Sequence, residues 1–157
     1  MVGMAVAHVT LASKSEQETE QLAARLAENL HGGEVVELVS DLGGGKTTFT
    51  RGLAAGLSSK DTVASPTFTI SREYGGGRLH IYHFDFYRLG EAGVTADELA
   101  EVVGDESAVV VVEWAEVVQH VLPTERLTIR IKASSEHARE LYCTYPSSLA
   151  YLLKGLA

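Results

Sequence analysis

The sequence has little cysteine, no long apolar run and no excess of positive charge, and each shortage removes a class of function. Cys143 is the only cysteine among 157 residues, so no disulfide forms within the chain and a metal site of cysteines alone is excluded. One thiol fits a reducing compartment, and the sequence predicts a cytoplasmic protein. The longest strongly apolar stretch, Ala108 to Val112, falls far short of the roughly 20 residues of a membrane-spanning helix, so no membrane partner is expected. Met1 to Leu11 is apolar but lacks a basic leader and a small-residue cleavage site, which argues against an export signal. Lys and Arg number 13 against 21 Asp and Glu, a formal net charge of −8. Such a chain is poorly suited to grip nucleic acid on its own, because basic side chains that neutralise phosphates supply most non-specific affinity. One nucleotide is another matter, since backbone amides, a lysine and a metal ion outweigh the global field at short range.

Hydrophobic residues make up 45% and charged residues 22%, the profile of a globular protein. With no internal repeat, low-complexity segment or long linker, residues 1–157 read as a single domain. Val6 to Leu11 suggests a first strand. Ser15 and Glu18 have capping-box spacing and open a helix through about Leu30, with Leu22, Leu26 and Leu30 on one face. Glu34 to Val39 reads as a buried strand running into a glycine-rich loop, followed by a helix from about Lys46 to Leu57. Within that helix Gly52 and Gly56 lower propensity but allow close packing against a sheet. Thr67 to Tyr74 and Arg78 to Tyr87 flank Gly75, Gly76 and Gly77 as an antiparallel hairpin. A helix over Val94 to Val103, the buried strand Ala108 to Val112 and a short helix from Trp114 to about Val121 come next. The strand pair Arg126 to Lys132 and Glu140 to Tyr145 and a terminal helix at Ser147 to Leu153 complete the pattern. Alternation of β-α-β units with hairpins predicts a three-layer α/β domain with a mixed parallel and antiparallel central sheet, and the loop motif at Ser40 to Thr48 (SDLGGGKTT) makes it P-loop NTPase-like.

The chemistry concentrates in the glycine-rich loop. Ser40 to Thr48 (SDLGGGKTT) matches G-x-x-x-x-G-K-[ST] at Gly45, Lys46 and Thr47, with Ser40 at the first glycine position. Small residues let backbone N–H groups converge on phosphate oxygens, and the helix that follows adds its positive end. Lys46 then reaches the β- and γ-phosphates and the Thr47 hydroxyl binds Mg²⁺. A serine at position 40 is strained if the loop needs a positive φ there.

Such a site also needs a carboxylate at the end of a neighbouring apolar strand. Glu113, after Val109 to Val112, stands where Asp is more usual. It is a candidate to hold Mg²⁺ directly or through water, or to orient an attacking water, and the competing reading is a cap for the next helix. In His83 to Arg88 (HFDFYR), alternation puts His83, Asp85 and Tyr87 on one face and Phe84, Phe86 and Arg88 on the other. Asp85, acidic within an aromatic strand, is either a metal or water contact or half of a structural salt bridge with Arg88. His80 and His83 point to opposite faces, which disfavours a histidine metal site there. Trp114 is either core or a stacking surface. Ser65-Pro66-Thr67 is either a switch threonine near a γ-phosphate or a turn entering a strand.

Together, DLGGGKTTFTRGL (Asp41 to Leu53), SPTFTISREY (Ser65 to Tyr74), HFDFYRL (His83 to Leu89) and VVVVEWAE (Val109 to Glu116) resemble the bacterial TsaE family. These are small P-loop ATPases of tRNA threonylcarbamoyladenosine formation. The resemblance implies an ATP site built from Asp41, Leu42, Gly43, Gly44, Gly45, Lys46, Thr47 and Thr48, with Thr67 sensing the γ-phosphate and Trp114 beside the nucleotide. It implies that Asp85 and Glu113 form an acidic pair organising Mg²⁺ and the hydrolytic water, with Thr47 on the metal. It also implies TsaD and TsaB as partners, the transfer to adenosine 37 belonging to TsaD, and tRNA contact that is at most indirect. Leu122 to Ala157 carries no distinctive match. A P-loop small-molecule kinase is disfavoured because no arginine-rich lid is present. A GTPase is disfavoured because N-K-x-D is absent, Asn29 being the only asparagine.

Overall fold

The computed structural model describes residues 5–41, 45–63, 71–87 and 93–156. Strand β1 (Val6–Ser13) leads into helix α1 (Glu16–Glu28), whose start follows from its sequence. The Ser15 hydroxyl accepts the Glu18 backbone N–H at 3.1 Å, and the Glu18 carboxylate reaches back to the Lys14 N–H. Such an N-terminal cap contributes about 1 kcal/mol. Strand β2 (Val35–Val39) and helix α2 (Lys46–Gly56) flank the glycine-rich loop. After them come β3 (Ser71–Tyr74), β4 (His80–Asp85), α3 (Gly93–Val102) and β5 (Ala108–Glu113). A 3₁₀ turn at Ala115–Val118, β6 (Leu127–Ala133), β7 (Arg139–Pro146) and a second 3₁₀ segment at Ser147–Leu153 complete the order. The two expected short helices are thus 3₁₀ segments.

The seven strands of the described residues join one sheet in the order β1-β7-β6-β2-β5-β4-β3. Strands β6, β2, β5 and β4 run parallel to their neighbours within that block, whereas β1/β7, β6/β7 and β3/β4 are antiparallel pairs. The mixed sheet and the hairpin are as the sequence predicts. Every residue of β5 is buried, as expected for a central strand covered on both faces. On one face Val36, Leu38, Val109, Val111 and Ile129 pack under α1 and α2. On the other, Val35, Val110, Val112 and Phe84 pack with Ala96 and Leu99 of α3. Helices therefore cover both sides, giving three layers.

One expectation is corrected. Gly52 and Gly56 face α1, not the sheet: a Cβ at Gly52 would lie 2.7 Å from Ala23 Cβ, and one at Gly56 2.7 Å from Ala27 Cβ. The two glycines let the helix axes approach more closely than any side chain would allow. Helices α1 and α2 seat against each other there, and α2 opens with Lys46.

Candidate active site

Parallel pairing brings the carboxyl ends of β2, β5 and β4 to one edge of the sheet, the edge where open α/β sheets bind ligands. Leu38 of β2 pairs with Glu113 of β5, and Asp85 of β4 pairs with Glu113 from the other side. The glycine-rich loop leaves β2 at that edge. Its last residue, Gly45, takes φ +110° as the N-cap of α2, a conformation glycine adopts without strain. Gly45 has no side chain with which to cap α2, and the first amides of a helix have no partner within it, the arrangement that suits an anion.

Lys46 lies almost fully buried at 7% exposure. Its Nζ donates to the Ser40 carbonyl and the Ser40 hydroxyl, both at 3.1 Å, and contacts the Asp41 carbonyl at 3.5 Å. It stands 4.0 Å from Glu113 Oε1, an ion pair at its outer limit, and 4.8 Å from the centre of the Trp114 ring. Ser40 is not among the residues with positive φ, so serine at the first glycine position carries no backbone strain. It contributes a hydroxyl that holds Lys46 instead. Thr47 and Thr48 are half-buried in the first turn of α2, and Asp41 is exposed. Leu42, Gly43, Gly44, Thr67 and Arg88 lie outside the described residues, as do Ser65 and Pro66.

Glu113 is 2% exposed. Its second oxygen meets His83 Nε2, and the far side of that imidazole, Nδ1, lies 3.2 Å from the Tyr74 hydroxyl. Asp85 occupies the same strand face as His83, as alternation predicts, and its Oδ1 accepts the Tyr87 N–H at 2.9 Å. Burial pushes the Asp85 carboxyl above its ordinary range; the Tyr87 N–H opposes this, the charge on Glu113 adds to it, and His83 and Lys46 oppose it. Phe84 and Phe86 stack on the opposite side, as expected.

Trp114 follows Glu113 in the left-handed region, φ 54° and ψ 53°, which is uncommon for a residue with a bulky side chain. That conformation breaks β5 and turns the indole over Lys46, with Tyr87 packed against it at 4.8 Å. A pocket opens there, lined by Glu37, Val39, Ser40, Lys46, Trp114 and Glu116. Behind it the Glu37 carboxylate is held by Arg126 Nε at 2.9 Å and Gln119 Nε2 at 3.1 Å. Arg126 and Gln119 thus hold the Glu37 side chain where it lines the pocket.

The fold brings together Lys46, Asp85, Glu113 and Trp114 from three segments. Sequence reasoning did not single out His83 and Tyr74 as neighbours of Glu113. The available signal was a histidine two residues before Asp85, hence on its face of the strand, but only the pairing of β4 with β5 sets it against a carboxylate. Among the described residues, no three His, Cys, Asp or Glu side chains converge as a metal-binding group.

The family profile described as "Threonylcarbamoyl adenosine biosynthesis protein TsaE" matches residues 13–141. The chain is 42% identical over 132 residues to the tRNA threonylcarbamoyladenosine biosynthesis protein TsaE of Bacillus subtilis, spanning 82% of this chain and 80% of that one. It is 35% identical to the protein of the same name from Nostoc, spanning 82% and 81%. The crystal structure of YdiB from Bacillus subtilis superposes with a TM-score of 0.81 at 36% identity, covering 98% of this chain and 97% of that one.

Proposed function

The chain belongs to the TsaE family, and from that premise we propose that it is the ATP-hydrolysing accessory subunit of tRNA threonylcarbamoylation. It works with the TsaD–TsaB complex, which modifies adenosine 37 of tRNAs reading codons that begin with A. The process for which the family is named supports the pathway. The observation that carries the ATPase reading is the meeting of Lys46 with Glu113 and Trp114 at the mouth of the glycine-rich loop.

In this reading Lys46 exchanges its Ser40 and Asp41 oxygens for the β- and γ-phosphate oxygens of ATP, and the amides that open α2 complete the cradle. The donor set at this edge is hard oxygen: the Thr47 hydroxyl and the Asp85 and Glu113 carboxylates. That chemistry suits Mg²⁺, which keeps several waters and takes one or two carboxylates alongside substrate phosphates. When bound, the ion neutralises charge developing on the transferred phosphoryl oxygens. Glu113, buried and held by its neighbours, orients the water that attacks the γ-phosphorus as the bond to the bridging oxygen breaks. Asp85 takes the outer side of the pair, Trp114 packs beside the nucleotide, and Thr67 responds to the γ-phosphate. A net charge of −8 favours work through protein contacts over a direct RNA footprint.

The test is ATP hydrolysis by the chain with and without TsaB–TsaD, beside calorimetric titration of Mg·ATP. Stimulation by the partners is expected, as is a loss of at least about 30-fold in affinity for Lys46→Ala, which removes charge-assisted phosphate contacts. Equal affinity in wild type and variant would refute the phosphate role. Absence of both partner binding and stimulation would refute the accessory-subunit role.

A further inference from the structure

Glu113 is a carboxylate buried to 2% exposure, yet the only lysine or arginine paired with it among the described residues, Lys46, stands 4.0 Å from one oxygen. A buried carboxylate needs its other lone pairs satisfied. The other oxygen is met by His83, which is 0% exposed and itself rests on Tyr74, 2% exposed. These side chains come from three adjacent strands, β3, β4 and β5, so the row Tyr74–His83–Glu113–Lys46 runs across the sheet from the hairpin to the phosphate loop.

The chemistry of the row fixes the hydrogen between His83 and Glu113. A carboxylate beside a lysine offers only acceptors, so the imidazole nitrogen facing it must carry a hydrogen. In neutral imidazole, Nδ1 is then the acceptor and the Tyr74 hydroxyl donates to it; in imidazolium, Nδ1 donates to Tyr74 Oη. Nε2–H faces Glu113 in both cases, so the arrangement does not depend on the charge of the ring. A histidine held from behind by a hydroxyl has its tautomer and ring plane set by that bond.

We propose that His83, held by Tyr74, is a positioning residue that locks the Glu113 carboxylate, fixing one oxygen so that the other is presented to Lys46 and the phosphate loop. The inference rests on the ATPase reading of the site. Glu113 on its own would have a long side chain with three torsions and no fixed orientation; His83 removes that freedom before nucleotide binds. The benefit is preorganisation of the group that orients the reacting water, and it falls on turnover more than on affinity.

The test uses the full chain with TsaB–TsaD and single-turnover ATP hydrolysis. His83→Leu keeps the volume and removes the donor; a loss of about 10- to 100-fold in rate is expected, the usual cost of losing such an outer support, with Mg·ATP affinity within about 3-fold of wild type. His83→Gln, whose amide N–H stands near the place of Nε2–H, recovers most of the rate. In a Glu113→Gln background His83→Leu costs less than about 2-fold, because it acts only through Glu113. Should His83→Leu fail to fold, Tyr74→Phe, which deletes one hydroxyl, is read in the same cycle with a smaller loss. Wild-type rates in the variants, or an equal loss in both backgrounds, overturn the inference while leaving the ATPase reading intact. A wild type that hydrolyses no ATP even with its partners overturns the ATPase reading and this role together.

Discussion

Adding one methyl group at the seam between α1 and α2 is expected to destabilise the chain and loosen the proposed nucleotide site. In Gly52→Ala the new Cβ falls 2.7 Å from Ala23 Cβ and 2.8 Å from Glu20 Cα, with the Glu20 carbonyl oxygen closer still. All three obstacles belong to the backbone or to a Cβ of α1, so no flexible side chain can swing aside, and the helices must separate by a sizeable fraction of an ångström. Helix propensity favours the substitution by about 1 kcal/mol. Overpacking a tight contact costs about 1–3 kcal/mol and occasionally more. With every obstacle within 3.0 Å and on backbone or Cβ atoms, the cost falls at the upper end of that range, so the net expectation is a loss of about 2 kcal/mol, a fall in Tm of several degrees for a domain of this size. Gly56→Ala, with its Cβ 2.7 Å from Ala24 Cα and Ala27 Cβ, belongs to the same seam, so the two losses combine non-additively. Urea denaturation reads the effect as a lowered midpoint at constant m, and because α2 opens with Lys46, Mg·ATP titration should show weakened binding as well. Either variant matching or exceeding wild-type stability would refute the argument, since propensity alone predicts a gain.

Asp85→Asn is expected to stabilise the folded chain near neutral pH. Burial raises the Asp85 pKa, so the folded state holds that proton more tightly than the unfolded state; stability from this group is present below the unfolded value of about 3.9 and is lost as pH rises through the folded one. The advantage of Asn should therefore shrink toward about pH 4.5, and a gain equal at both pH values would contradict the assignment. Hydrolysis should fall much more than affinity in Glu113→Ala and Asp85→Ala, and wild-type single-turnover rates in both would exclude an acidic pair. Cys143 is 1% exposed and burial pushes its thiol up to about 12, so a thiol reagent should label it only after unfolding, with little acceleration between about pH 7 and 9. Rapid labelling of the native chain would show that β7 opens readily.

Local patterns proved legible where neighbours in the chain decide the structure. The capping pair Ser15 and Glu18, the step from β2 through Gly45 into α2, the hairpin of β3 and β4, and the buried run of β5 all follow from periodicity and backbone preference. Residues whose roles depend on a distant partner were harder to read. Gly52 and Gly56 read as close-packing positions, but which surface they meet depends on the placement of α1. The strain that Ser40 would carry turned on a single φ angle, and the φ angle is ordinary. His83 on Asp85's face of the strand was visible, while its bond to Glu113, 30 residues on, was not.

The sequence by itself determined that a strand, a phosphate-type loop and a helix follow one another at Glu34 to Leu57, and that an apolar strand ends in Glu113. Both are set by propensity, glycine placement and hydrophobic period over short spans. Only the tertiary structure decided that β2 lies between β5 and β6, and that β1 pairs with β7 rather than with any nearer strand. Strand order is a competition among non-local pairings, settled by which arrangement buries both faces of β5 while satisfying every backbone ladder. That competition, and no feature of the P-loop alone, places Tyr74, His83 and Glu113 in a row ending at Lys46.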